Sequence, residues 1–262
     1  MRAASAIAGI IVQNCRMQVK LLTILDCVRP VLFQNDSRDF PVSFGGSAFL
    51  VRYQQQRTFV ITARHVLRED EFALSQFRIQ RRPDRNGNLL LGKRYRIRGS
   101  DTEDTDQYDI AVWDVIPVSD SVYGDYAPYN LWPMEGNTVF SPASEYLYRG
   151  YPRQLRIADY ETHRYDQGSI SGSAKYLGRT NLECVRSLEL NDLGPIANLD
   201  GVSGSPVFQV TQDGDAYAVP SFAGVIIRGS AQTRVANFVE GRRVLDMLGQ
   251  IVAGQVTPSA AS

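Results

Sequence analysis

Ser203 lies in the stretch DGVSGSPVF, Asp200 to Phe208, where glycine, serine and proline crowd around one hydroxyl. A serine that attacks a carbonyl needs a turn that exposes its Oγ and peptide N–H groups aimed at the oxyanion the attack creates. Gly201 can adopt dihedrals closed to other residues, Gly204 leaves room beside the hydroxyl, and Pro206 stops the segment from continuing as helix. An ordinary turn entering a strand is built from the same residues, so the rest of the chain has to decide. A hydroxyl becomes a nucleophile when a base takes its proton, and the chain offers two histidines, His65 and His163.

His65 follows the run Phe59 to Ile61, which predicts a buried strand ending at Thr62 and Ala63, and RHVLRED predicts a brief helical turn that holds the ring. Asp109 opens DIAVWDV, a second β-type run. Asp114, five residues further along, falls on the opposite face of that strand. His163 sits in a polar segment and is expected on the surface. The chain order His65, Asp109, Ser203 closely resembles that of the chymotrypsin/trypsin-like serine proteases, whose matching stretches are a TAAH-type, a DIAL-type and a GDSGGP-type motif. FGGSAFLVR, Phe44 to Arg52, resembles the strand leading to the histidine. FAGVIIRGS, Phe222 to Ser230, resembles the strand that lines the specificity pocket, so the likeness runs from Val31 to Leu248.

The resemblance implies an all-β chain of two antiparallel six-stranded β-barrels with a C-terminal α-helix. The expected divisions are an extension over 1–30, a first barrel over 31–125, a connector over 126–136, a second barrel over 137–236, a helix over 237–252 and a flexible tail over 253–262. It implies a stand-alone serine endopeptidase. His65 would take the proton from Ser203 and pass it to the leaving amine, Asp109 would fix the imidazole, and the N–H groups of Gly201 and Ser203 would form the oxyanion hole. No metal or organic cofactor is called for. Ala197, Asn198, Ile227, Arg228 and Gly229 are the expected substrate contacts, with Ile227 to Gly229 accepting an extended peptide as an added strand.

Two positions depart from the family pattern. Val202 stands where an aspartate usually precedes the nucleophile and, in zymogen-type relatives, pairs with a newly released α-amino group. Activation by such a cut is not expected, despite GIIV at Gly9 to Val12, and the site is either preformed or ordered by a loop or protein partner. Ala197, six residues before Ser203, stands where trypsin-type enzymes hold a carboxylate for Arg or Lys. A methyl group there predicts small-to-medium apolar, or uncharged polar, residues at the cleaved position. Asn198 and Thr233 would add polar contacts, and Asp200 would sit at the rim.

Charge is balanced, with 28 basic and 28 acidic side chains among 262 residues, which gives no general preference for nucleic acid or an anionic membrane. The expected partners are a protein or peptide substrate and an activating protein. Three cysteines, Cys15, Cys27 and Cys184, allow at most one pair and point to a reducing compartment or to thiols left free, and a cytoplasmic location is expected. Few cysteines and abundant arginine favour a bacterial source. The apolar run Ala3 to Val12 has the length of a secretory h-region but lacks a clear cleavage site before QNCR.

From Val31 onward short apolar runs alternate with turn residues, the pattern of a sandwich or barrel. Phe77 to Arg98 predicts a hairpin turning at RNGN, with Arg78, Arg81, Arg82, Arg85, Lys93, Arg94, Arg96 and Arg98 as a solvated face or a site for an acidic partner. The acidic loop Asp101, Glu103, Asp104, Asp106 matches no EF-hand spacing. Ser119 to Asn137 reads as the connection, with Trp132 as packing. TVFSP, EYLYRGYP and LRIADYETHRY read as strands, and SISGS around Ser171 and Ser173 as a decoy without the proline. Asn237 to Val252 predicts an amphipathic helix, with Val244, Leu245, Leu248, Ile251 and Val252 on one face. A silent binding module on a protease fold is the alternative function. An α/β-hydrolase is excluded, because no histidine follows Ser203.

Overall fold

Apolar runs of five to seven residues in the first half become strands that are covered on both faces. The computed structural model describes residues 24–259 apart from 40, 68–74, 83–84, 98–104, 118–126, 160, 162–163, 192, 195 and 214–215. The first half contains β1 (Val28–Gln34), β2 (Val42–Tyr53), β3 (Arg57–Ala63), β4 (Phe77–Arg82), β5 (Arg85–Asn88), β6 (Leu91–Arg96), β7 (Ile110–Val115) and β8 (Tyr129–Leu131). Ser47 to Val51 and Thr58 to Ala63 are buried without a break, which matches their nearly unbroken apolar sequence. The expectation for His163, Cys15, Ala3 to Val12 and the acidic positions 101, 103 and 104 lies outside the described residues.

The strands of the first sheet follow the order β5–β4–β1–β2–β3–β7–β6, with β8 alongside β2 in parallel. Its two end strands are pieces of one bent segment. The Leu89 N–H donates to Ile79 on β4 and the Leu90 carbonyl accepts from Ile116 just past β7, each at 2.8 Å. The first barrel is therefore an eight-stranded sheet rolled around that bend, and no ladder joins β5 to β6 among the described residues. RNGN lies inside β5 and not at a turn: its Arg85 pairs with Arg82 and its Asn88 with Gln80 of β4.

The second half contains β9 (Glu145–Gly150), β10 (Arg156–Asp159), β11 (Arg164–Gln167), β12 (Ile170–Arg179), β13 (Val185–Leu190), β14 (Pro206–Asp213), β15 (Ala216–Ser230) and β16 (Val235–Glu240). Six of these close a barrel in the order β12–β13–β16–β15–β14–β9, and β10–β11 form a separate hairpin. TVFSP is a loop instead of a strand; its Val139 carbonyl accepts from the Gln209 amide at 3.0 Å. Ser171 and Ser173 sit within β12, paired with Arg149 and Leu147 of β9, so neither is on a turn.

The C-terminal helix α1 spans Gly241–Val252 and buries Val244, Leu245, Met247, Leu248 and Ile251, an apolar stripe at helical spacing. It starts four residues later than its pattern suggested. Asn237 to Glu240 belong to β16, where pairing with β13 and β15 on both edges and burial of Phe238 and Val239 outweigh the helical periodicity. The expected tail is tied down as far as Ser259, whose N–H donates to the Arg94 carbonyl at 2.8 Å. Among the described residues no helix is long and apolar enough to cross a membrane.

One apolar cluster fills the first sheet and runs on into Phe208, Phe222, Val225 and Ile227 of the second half and the buried face of α1. Phe49 of β2 meets Phe222 of β15 with ring centroids 5.6 Å apart. A second cluster, around Tyr146, Tyr148, Leu188, Leu199, Val202 and Phe238, fills the closed barrel. The site residues lie along the junction between the halves.

Candidate active site

Strand β3 ends at Ala63 and the chain turns into a short 3-10 helix, Arg64–Leu67, that carries His65. Ala63 pairs with Ile110 on β7, which puts Asp109 beside Arg64, and the Arg64 N–H donates to the Asp109 carbonyl at 3.1 Å. The Asp109 carboxylate is buried and both oxygens are engaged by His65: Oδ1 accepts the backbone N–H at 2.9 Å, and Oδ2 lies 2.5 Å from Nδ1. A carboxylate on Nδ1 holds the proton there and leaves Nε2 as the basic nitrogen. No described residue bonds to Nε2, and the imidazole is 49% exposed. Asp114 faces elsewhere, pairing with Arg57 at 2.6 Å and accepting from Tyr95 at 3.1 Å.

Two tight turns placed end to end present Ser203. Val202 N–H donates to Leu199 at 2.9 Å and Ser205 N–H to Val202 at 3.1 Å, while Gly204 N–H reaches Ile226 of β15 at 2.7 Å. The N–H groups of Gly201 and Ser203 have no acceptor among the described residues. Two neighbouring donors left over by a well-bonded turn are the groups an oxyanion hole requires. Glycine is needed at both ends of the turn. Gly201 has φ +91°, and a Cβ there would lie 2.5 Å from the Tyr151 carbonyl; Gly204 has φ +88°, and its Cβ would collide with the Ser47 carbonyl. Ser203 Oγ donates to the Ile227 carbonyl at 2.9 Å and makes no hydrogen bond to His65 in this arrangement.

Ser47, which the sequence reading passed over, joins the two halves at the turn. It is fully buried on β2. Its N–H donates to the Ser203 carbonyl at 2.9 Å, its Oγ donates to the Gly201 carbonyl at 2.7 Å and accepts from the Tyr151 N–H at 2.9 Å, and its carbonyl accepts from Thr62 Oγ1 at 2.6 Å. The clue was a hydroxyl among glycines and apolar residues in FGGSAFL, where an unpartnered polar group would be costly.

The expected substrate contacts separate into two groups. Ile227, Arg228 and Gly229 lie on β15 beside Ser203, where β14 pairing has ended at Val225 and only β16 is bonded, so one edge is open. Ile227 turns its side chain into the core, and exposed Arg228 pairs with Asp106 at 2.5 Å. Ala197 and Asn198 lie on the surface: the Ala197 N–H donates to Gln154 at 2.7 Å, and Asn198 accepts from the Asp200 N–H at 3.2 Å. Thr233 and Asp200 are exposed as well. The residue that packs against the open edge is Leu199, buried with its Cδ1 2.7 Å from where a Cβ of Gly229 would be.

Two solved structures align with the chain over most of its length. A scabies mite inactivated protease paralogue, S-D1, superposes with a TM-score of 0.56 at 16% identity, covering 90% of this chain and 97% of its own. A Glu endopeptidase in complex with MPD superposes with a TM-score of 0.52 at 14% identity, covering 89% and 92%. Both have chymotrypsin/trypsin-like folds. The chain has a chymotrypsin/trypsin-like fold. No protein-family model and no curated protein sequence matches it. Within this trypsin-like fold Val202 is buried in the second barrel's apolar cluster, an environment that would penalise an aspartate without an ionic partner. Cys27 and Cys184 are both free thiols.

Proposed function

We propose that the chain is a serine endopeptidase that hydrolyses peptide bonds in protein substrates through Ser203, His65 and Asp109. The observation that carries this reading is the pair of unspent N–H groups on Gly201 and Ser203 beside a hydroxyl, on a turn whose other amides are bonded. Two amides that the turn leaves without a protein acceptor are free to hold an oxyanion. In the reaction, Ser203 Oγ leaves the Ile227 carbonyl and rotates to His65. Nε2 takes the hydroxyl proton as Oγ bonds to the carbonyl carbon, and the two amides hold the oxyanion. The imidazolium, stabilised by Asp109, then protonates the leaving amine, and water hydrolyses the acyl-enzyme by the same route.

A second reading, a catalytically silent protein-binding module, draws support from the Ser203 hydroxyl being engaged by Ile227. A protein partner that reorders the site would convert one state into the other. Intact-mass analysis after treatment with a fluorophosphonate distinguishes them. One adduct on the wild-type chain and none on Ser203→Ala supports the peptidase, whereas no adduct on either supports the silent module. An adduct that survives in Ser203→Ala assigns the nucleophile to another residue.

A further inference from the structure

Beside Ser203, the open edge of β15 is covered at Gly229 by a side chain of the protein. An extended peptide that joins the open edge of β15 at Ile227 to Gly229 would place its acyl carbonyl against the Gly201 and Ser203 amides. Side chains of an added strand alternate in direction, and one on the acyl residue that faces Gly229 would meet the segment leading into the nucleophile turn. Gly229 carries no side chain of its own, which would leave that wall open. Leu199 closes it, with Cδ1 at 2.7 Å and Cβ at 3.5 Å from the position a Cβ of Gly229 would take.

Leu199 has little freedom to withdraw. Its carbonyl accepts the Val202 N–H at 2.9 Å and so forms the first corner of the turn that presents Ser203. Its side chain is 5% exposed and belongs to the same apolar cluster as Ile196 and Val202. Moving it would either open a cavity in the second barrel or disturb the turn.

We infer that Leu199, and not Ala197, sets the acyl-side specificity of the site, and that it restricts the cleaved position to glycine and alanine. The inference rests on the peptidase reading above. A pocket discriminates one methylene by about tenfold or more, so a leucine side chain meeting Leu199 is disfavoured by more than that, and charged or aromatic side chains further still. Ala197 is on the surface, with its N–H bonded to Gln154.

The test is digestion of a mixed-sequence peptide library with the full chain, with the cut sites read by mass spectrometry and Ser203 occupancy measured in the same preparation with a fluorophosphonate. Wild type is expected to enrich glycine and alanine on the acyl side at least tenfold over leucine and phenylalanine. Leu199→Ala is expected to raise leucine relative to alanine at least tenfold, and Leu199→Val, a smaller perturbation of the core, several-fold. Because each ratio compares cuts made by one sample, it does not depend on how much of a variant is folded. Wild-type cuts concentrated after leucine, phenylalanine, arginine or glutamate would overturn the inference, as would unchanged ratios in both variants, in each case with Ser203 still labelled. Absence of label on wild-type Ser203 with no cutting would overturn the peptidase reading itself, and the inference with it.

Discussion

His65 and Asp109 are joined by two hydrogen bonds inside one rolled sheet, whereas Ser203, across the junction, gives its hydroxyl proton to a carbonyl of its own barrel. On the first side the carboxylate and the imidazole are fixed by adjacent strands, and the carboxylate sets the orientation of the ring. On the second side the backbone is well fixed, by the two turns and by Ser47, but the hydroxyl is bonded to Ile227 and not to the imidazole. Breaking the bond to Ile227 costs about 1 kcal/mol net, small beside the preorganisation supplied by the backbone. The acid–base side therefore stores its specificity in side chains, and the nucleophile side stores it in the main chain.

That contrast can be broken from either side. Asp109→Asn removes the charge that holds the imidazole while leaving the strands in place, and about 10⁴-fold is expected to be lost from kcat/KM on a cleaved peptide, with the melting curve moved by only a few degrees. Gly204→Ala attacks the main chain instead. A side chain with φ near +88° and the Ser47 carbonyl in its path is expected to cost more than about 3 kcal/mol in chemical denaturation, and activity is lost because the fold is. Ser47→Ala sharpens the comparison, since it leaves both turns and both glycines intact. It strands the Tyr151 N–H and the Gly201 carbonyl, for about 1–3 kcal/mol, and the rate of fluorophosphonate labelling is expected to fall by more than the fraction unfolded explains.

The smallest effect is expected far from the turn, at Cys27. Burial pushes its thiol up to about 12 against the ordinary 9.0, with Arg29 opposing. A folded-state pKa above the unfolded one gives a contribution that is complete below 9 and is lost as pH rises toward 12. Between pH 8 and 10.5 the urea midpoint of wild type is therefore expected to fall more than that of Cys27→Ala. At pH 8 the native thiol is expected to resist iodoacetamide that modifies the unfolded chain.

His65, Asp109 and Ser203, the members of the proposed triad, were legible as candidates because each sits in a short local pattern: an apolar run ending at a histidine, an aspartate opening another, and a serine between glycines. Their pairing was not written in any one stretch, and neither was the role of Ser47, whose four partners lie on three other segments. Leu199 was missed for a related reason. A leucine in NLDGVSG reads as core, and only the missing side chain of Gly229, thirty residues later, makes it a wall of the site. RNGN and NFVE show the limits of local rules. The first has turn composition but pairs as a strand with β4, and the second continues a helical stripe but is claimed by neighbours on both edges.

The dependence of the nucleophile turn on Ser47 makes the two halves poor candidates for independent folding. Phe49 against Phe222, β8 beside β2, Arg57 reaching the Ile251 carbonyl of α1 and Ser259 bonded to Arg94 all cross between segments far apart in sequence. A chain severed between 117 and 127 would yield two polypeptides, each with an uncovered apolar face and one of them with an unbraced serine turn. Mixing the two is then the route to a reactive Ser203, which turns the junction into a complementation assay in which a chemical label reports that two fragments have found each other.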